Sequence, residues 1–533
     1  MTAVETPTDR VRAAEVIACA CLATDLGMGF PFEHGLHATL MTMRLAELLD
    51  VGPETASQTY YACLLMYAGC TTDAQKSSRI FGGSMAQHVT PVQFGSTAEI
   101  MAGVVRALPD PDDRPHERAF EIARRLPMAA RFRGVHFTSM CEVATMLAER
   151  LGVPASVPPL FRYLTDRWDG KGVLRRARGD DVPIPVRIMH VARDAAYQRV
   201  VGGDEHAVAT IRHRAGKAFD PEVAHRFVDH AQDILAVADP DAAASAWDAV
   251  LAAEPRPWLH LEGAAIDRAL AALGDFADLA APALAGHSAG VADLAATTAT
   301  ACGFAEDDVR TVRRAAHVHD VGRTAVPPRI WQKPGRLTAD EWEQVRLHAY
   351  HSERVLSRSP TLARLATVGC AHHERLDGTG YHRGLAAASL SPPARLVAVA
   401  DVFHALQEPR PHRAAIPAPE AALLLGEAGR SGQLDPVMVG AVLETAGHTP
   451  PPIERPAGLT EREAEVIGLL ARGLQTKQVA RALGISTKTA DRHIQHAYRK
   501  AGVSTRAAAT LFAMEHWLVP WGGLPIPRPD EGS

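Results

Sequence analysis

Along most of the chain, apolar residues return every three to four positions rather than every second one. Met43-Arg44-Leu45-Ala46-Glu47-Leu48-Leu49 shows this period, which predicts a helix with one buried stripe. Stretches of this kind fill residues 15–235 and return over 283–446. Between them, 236–282 is rich in Ala and Pro with short helical stretches, and is expected to serve as a connector. Pro450-Pro451-Pro452, with Pro456, predicts a stiff linker over 447–458. A small helical unit is expected over 459–520.

Helix punctuation is clearest in that last unit. Thr460 and Glu463 read as a capping box opening Ala464-Glu465-Val466-Ile467-Gly468-Leu469-Leu470. Gly473 closes that helix, and a short helix from Lys477 to Leu483 stops at Gly484. Ile485-Ser486 then turns the chain into a helix from Thr487 to Ala501, which is the helix-turn-helix order. Lys477, Thr487, Lys488, Thr489, Arg492, His493 and Lys500 are its candidate DNA contacts, with Lys488 and Arg492 expected in the groove.

Charge supports that expectation. The chain as a whole carries −5, yet residues 459–518 hold three Lys and six Arg against four Glu and one Asp. A basic end on an acidic body suggests a polyanionic partner such as double-stranded DNA.

The two larger helical segments resemble one another. Arg167-Trp168-Asp169-Gly170-Lys171-Gly172 matches Arg375-Leu376-Asp377-Gly378-Thr379-Gly380. Pro185-Val186-Arg187-Ile188 matches Pro393-Ala394-Arg395-Leu396, and Phe219-Asp220-Pro221 matches Leu434-Asp435-Pro436. This reads as a tandem duplication. The copies differ in their chemistry-bearing positions. His319-Asp320 falls on Met66-Tyr67, His372-His373 on Leu164-Thr165, and Asp401 on Arg193; His34 stands opposite His287. The first copy therefore lacks the donors that the second carries, and is expected to be a scaffold, sensor or dimerisation domain.

Those donors are His287, His319, Asp320, His348, His372, His373 and Asp401. Imidazoles and carboxylates together suit Fe, Mn, Zn or Ni rather than Ca. An adjacent His-Asp pair lets the imidazole serve one ion while the carboxylate bridges to a second. Two such cations bind phosphate, generate a nucleophile from water and support in-line displacement. Other features narrow the class. At 533 residues and 47% hydrophobic content, the sequence is that of a soluble protein of about three domains, with no apolar run long enough for a membrane. The acidic Met1-Thr2-Ala3-Val4-Glu5 start is no secretion signal. Seven scattered cysteines, without CxxC spacing, point to a reducing, cytoplasmic setting, with Cys19 and Cys21 as buried small hydrophobes.

Residues 283–446 resemble an HD-GYP domain of the HD superfamily of helical phosphohydrolases. The likeness rests on Gly286-His287-Ser288, His319-Asp320-Val321-Gly322-Arg323, His348, His372-His373-Glu374 through Gly378-Thr379-Gly380-Tyr381, and Ala400-Asp401-Val402. It implies two divalent metal ions. His287, His319, Asp320 and Asp401 would hold one; His348, His372 and His373 would hold the other, with Asp320 bridging. Asp320 and Arg323 are the implied catalytic residues, and Arg323, Arg410 and Arg413 the implied substrate cations. The chain departs from the family pattern at Arg323 (usually Lys), His382 (usually Pro), His404 (usually Asp) and Ala283. Three-metal members carry Glu at the last position, so at most two metals are expected.

The C-terminal unit resembles the LuxR-type domain through Leu459-Thr460-Glu461-Arg462-Glu463, Val479-Ala480, Leu483-Gly484-Ile485-Ser486, Thr489, His493 and Lys500-Ala501-Gly502-Val503. In that family the last helix, expected over 506–518, pairs subunits, which implies a homodimer on DNA.

The expected fold is thus all-α: two tandem HD-like helical domains, the first degenerate, and a small four-helix LuxR-type helix-turn-helix domain. The expected function is a transcriptional regulator whose HD-GYP-like domain binds or hydrolyses cyclic di-GMP or another nucleotide or phosphate ester. The alternatives are a non-catalytic nucleotide sensor, and a phosphohydrolase that the DNA module only localises.

Overall fold

Short polar side chains just ahead of the helices fix where the helices begin. Thr338 and Thr460 form capping boxes with Glu341 and Glu463. Ser359 and Ser391 each cap a helix whose first residue is proline. Asp220 and Asp435 cap Pro221–Asp229 and Pro436–Thr445 in the same way. Each cap satisfies amide groups that the helix itself leaves unpaired, and proline at the first position has no amide to lose.

The computed structural model describes residues 9–70, 77, 79–239, 245–449, 456–515 and 518. The architecture is all-α, with turns and 3-10 segments between helices. Among the described residues the one sheet is a short antiparallel ribbon pairing Arg10–Arg12 with His260–Glu262. Pro450-Pro451-Pro452, expected as a linker, lies outside the described residues. No helix of the described residues is long and apolar enough to cross a membrane.

One large apolar core draws residues from Val11 to Leu443, with small separate clusters around Leu108, Ile330 and Leu390, whereas the C-terminal unit has its own small clusters around Val466 and Ile467. The stretch expected to act as a connector belongs to that large core. Its Ala264–Asp278 helix buries Ile266, Leu270, Leu273 and Phe276, and rests against His287–Ala301 and Glu306–Val318. Many alanines had masked the three-to-four spacing of these larger residues. Asp278, at the helix end, accepts hydrogen bonds from Ser288 N (2.9 Å) and Oγ (2.8 Å) and so anchors the next helix.

The same local contacts occur in both halves of the core. Gly35 N donates to Asp25 at 2.9 Å, as Ser288 N does to Asp278. Arg187 binds the cap Asp220 at 2.7 Å, and Arg395 binds the cap Asp435 at 2.9 Å. Trp168 N donates to Ala218 O, and Leu376 N to Gln433 O, both at 3.0 Å. His34 and His287 each open a helix behind a residue in the left-handed conformation.

One close approach sets the geometry around His319-Asp320. Gly322 lies against the Ala339–Leu356 helix, where a Cβ would collide with His348 O and Ser352 N. Its amide donates to Ser352 Oγ at 2.9 Å. Gly322→Ala should therefore cost about 2 kcal/mol through overpacking. Calorimetry should show a lowered Tm, and metal affinity should fall with it because Asp320 and His348 are moved apart.

Candidate metal centre and nucleic-acid interface

His319 caps the end of the Glu306–Val318 helix, and Asp320 follows in a non-helical conformation that turns both side chains inward. His348 comes from mid-helix in Ala339–Leu356, Asp401 from mid-helix in Pro392–Leu406, and His287 from the first position of His287–Ala301. His372 and His373 leave the end of Pro360–Gly369. Three helices and the ends of two more thus deliver seven donors to one place. All but His373 are buried.

The donors fall into two groups, His287-His319-Asp320-Asp401 and His348-His372-His373. Asp320 stands between them. Its Oδ2 lies 2.8 Å from His319 Nε2 and 3.5 Å from His287 Nε2, while its Oδ1 lies 3.2 Å from His348 Nε2 and 3.4 Å from His372 Nε2. Asp401 Oδ1 is 3.1 Å from His287 Nε2.

Hydrogen bonds to the far side of the rings decide which nitrogens face the centre. Nδ1 of His319 and of His372 meet the carbonyls of Ala316 (2.6 Å) and Gly369 (2.7 Å), and His348 Nδ1 meets Val345 O. These Nδ1 atoms donate, so Nε2 is left to point inward. Nε2 of His348 and His372 then face each other at 3.3 Å as two lone pairs, a repulsive arrangement unless a cation lies between. His319 Nε2, both Asp320 oxygens and Asp401 Oδ1 are buried, and the ion-pair contacts around them include no well-directed hydrogen bond. Buried polar atoms are rarely left so. This donor set fits divalent metal.

The electrostatics ask for positive charge at one group. Burial lowers His372 to about 4 and puts His373 well below the usual imidazole range. Burial would lower His287 and His319 too, but the Asp320 and Asp401 carboxylates outweigh it and raise them to about 10 and about 9. Burial pushes Asp320 and Asp401 up, yet Arg323 and the histidines hold Asp320, and the histidines hold Asp401, well below the carboxylate range. A divalent ion would displace those imidazolium protons.

Sequence reading missed Glu408. Its Oε2 lies 3.0 Å from His287 Nδ1, its Oε1 3.1 Å from His404 Nδ1, and Arg410 donates to it at 2.6 Å. His287, His404 and Glu408 form a third donor group that shares His287 with the first. Because Glu408 meets the ring nitrogen of His287 that faces away from Asp320, it is placed to orient that imidazole. The available signal was its position four residues after His404, at the end of the Asp401 helix.

The three expected substrate arginines differ. Arg323 Nη2 lies 2.5 Å from Asp320 Oδ2 and 3.3 Å from His287 Nε2, with Trp331 beside its guanidinium. Burial and the Arg323 charge push Arg410 down, and Arg410 is held by Glu408 at 2.6 Å. The Arg413 nitrogens are occupied by the carbonyls of Leu406 (2.9 Å), Glu408 (3.1 Å) and Ala405, where they tie off the helix end. The Arg413 Nη donors thus serve bare carbonyls at a helix terminus.

In the C-terminal unit, Thr476–Ala482 and Thr487–Lys500 form the helix pair, with Ser486 capping the second through Thr489 N. Gly484 turns in the left-handed region between them. Lys477, Thr487, Lys488 and Arg492 are exposed on this pair, and His493 is half-buried. Thr489 is engaged with Ser486 Oγ at 2.8 Å. Lys500 binds Glu463 (2.7 Å) and Gly458 O (3.0 Å), which fastens the unit's own start.

Comparison with known proteins agrees with this division. Residues 272–438 match the HD domain family, and residues 457–513 match the bacterial regulatory proteins of the luxR family. The chain therefore joins an HD domain to a C-terminal LuxR-type domain. Its relatives are cyclic nucleotide phosphodiesterases of the HD-GYP kind. The 3'3'-cGAMP-specific phosphodiesterase 3 of Vibrio cholerae is 26% identical over 418 residues, covering 78% of this chain and 90% of that protein. The cyclic di-GMP phosphodiesterase response regulator RpfG of Xanthomonas campestris is 39% identical over 152 residues, which span 28% of this chain and 40% of that one. The solved structure of a cyclic GMP-AMP-specific phosphodiesterase of V. cholerae shares the fold, with a TM-score of 0.55 and 24% identity over 82% of this chain and 98% of that one.

Three outcomes follow for variants. Glu408→Gln should lower metal affinity about 10- to 100-fold, the usual effect of losing a carboxylate behind a metal-binding imidazole, as read by chelator competition on a folded protein. Lys488→Ala with Arg492→Ala should remove sequence preference and flatten the salt dependence of DNA binding. Lys500→Ala should instead lower the melting temperature of the C-terminal unit.

Proposed function

We propose that the chain is a DNA-binding regulator whose HD domain holds two divalent ions and hydrolyses a phosphodiester of the cyclic dinucleotide class. The observation that carries this reading is the Asp320 carboxylate, each of whose oxygens faces a different histidine group. Divalent ions there would supply Lewis acidity and a nucleophile generated from water at neutral pH, with Fe, Mn, Zn or Ni suited to the donors. The protein's own share is positioning. Backbone carbonyls hold His319, His348 and His372 with Nε2 inward, and Glu408 does the equivalent for His287. Arg323 and Arg410 offer guanidinium donors to phosphoryl oxygens and offset the charge that grows during displacement. The names of the relatives support cyclic dinucleotides as the substrate class.

The LuxR-type domain gives the output: double-stranded DNA, bound by a homodimer in the cytoplasm. Seven cysteines, all free, suit that compartment.

Sensing without turnover is the second reading, and one contact favours it. The Arg323 guanidinium beside Asp320 already neutralises part of the charge that an ion would answer. Mn- or Fe-loaded protein should release p-nitrophenol from bis-p-nitrophenyl phosphate and linearise cyclic di-GMP or 3'3'-cGAMP faster than a His319→Ala, Asp320→Ala variant. Equal rates would discard hydrolysis and leave sensing.

A further inference from the structure

A large cavity lies away from the seven donors, walled mostly by the first half of the core. It encloses about 1250 Å³, above the ~300–1,000 Å³ of ordinary small-molecule sites. Its wall includes Tyr67, Leu164 and Thr165, the residues that the internal repeat sets opposite Asp320, His372 and His373. It also includes Arg167, Lys171 and Gly172, from the turn that matches Arg375–Gly380. The cavity is thus where the first half would have its own phosphate-ester cleft.

The lining has a distinct chemistry. Among the described residues, six cationic side chains border it (Arg125, Arg133, Arg167, Lys171, Arg175 and Arg329) against the carboxylates of Asp110 and Asp112. Arg133, Arg175 and Arg329 are exposed and have no hydrogen-bond or ion-pair partner among the described residues. Further in, the walls are apolar and aromatic, with Met66, Phe94 and Met140 buried and Phe132 and Phe137 half-buried. Polar groups interrupt them: Gln87, Gln93 bound to the Tyr67 hydroxyl at 2.6 Å, and Thr165 Oγ1, which is buried without a partner. A cationic rim over an aromatic interior with a few hydrogen-bonding groups suits phosphate outside and a planar base inside.

Hydrolysis has no support there. At the matched positions stand Met66, Tyr67, Leu164, Thr165 and Arg193. Arg193 is fully buried, stacks 4.7 Å from the Tyr67 ring centroid, and leaves Nε and Nη1 unpaired. A guanidinium fixed to the chain takes the place of exchangeable cations.

The opposite wall belongs to the HD domain. Residues 324–329 line the cavity and directly follow Arg323, the partner of Asp320. The Trp331 indole donates to Arg323 O at 3.3 Å, and the Ala13–Met28 helix packs against the Val321–Ala325 turn.

We infer that this cavity binds a nucleotide, held by phosphate at the Arg133–Arg175–Arg329 rim and by base at Thr165, without turnover, and that occupancy is transmitted through residues 324–329 to Asp320 and Arg323. The inference rests on reading the first half as an HD-like copy, but binding does not require the second half to hydrolyse anything. The test uses the full chain, EDTA-treated, and the full Asp320→Asn chain, titrated calorimetrically with cyclic di-GMP, 3'3'-cGAMP, GTP and AMP. One of these should bind both proteins at one per chain. Arg133→Glu with Arg175→Glu should weaken it about tenfold or more, the worth of a charge-assisted hydrogen bond, with Tm unchanged. Thr165→Val should weaken it too, and the same variants should abolish any nucleotide effect on metal affinity at the HD site. The inference is overturned if no probe binds tighter than about 1 mM, or if binding ignores the rim and Thr165 changes. A failed hydrolysis assay alone would leave it standing.

Discussion

A buried carboxylate has to be compensated, and around Asp320 the compensation organises the domain. It is fully enclosed, charged, and faced by four imidazoles and one guanidinium drawn from separate helices. Removing a carboxylate from water costs several kcal/mol after relaxation. The fold meets that cost by bringing positive or cation-binding groups to both oxygens. The caps, the Gly322 contact and the Asp278 anchor all set backbone positions that make this convergence possible. Glu408 extends it outward by holding the far nitrogen of His287.

The first half answers a similar electrostatic demand by different means. Asp25 is buried, and burial raises it to about 7 while the Arg193 charge works against that rise. Arg193 is enclosed with Tyr67 against its face. The two halves thus share anchoring contacts and cap ion pairs, yet one builds a donor cluster and the other a covalently fixed cation.

Much of this was legible in the chain. Caps, glycines and the three-to-four apolar spacing placed the helices of the C-terminal unit almost to the residue, because those signals act within a single turn. The seven donors were legible too, since adjacent pairs such as His319-Asp320 and His372-His373 are conspicuous. The role of 264–278 was not, because its alanines dilute the stripe that buries Ile266, Leu270 and Leu273. Nor could sequence show that Arg413 spends its donors on carbonyls, or that Lys500 binds Glu463 across 37 positions.

The sequence by itself determined which residue types could bind cations, which helix could face DNA, and that the two halves share a pattern. These follow from short-range spacing and side-chain chemistry. Only the tertiary structure decided which arginines face the centre, that Asp320 presents one oxygen to each histidine group, that Glu408 stands behind His287, and that a cavity lies against the segment following Arg323. Those relations join residues tens to hundreds of positions apart. Their distances and burial are set by packing, to which local spacing is blind.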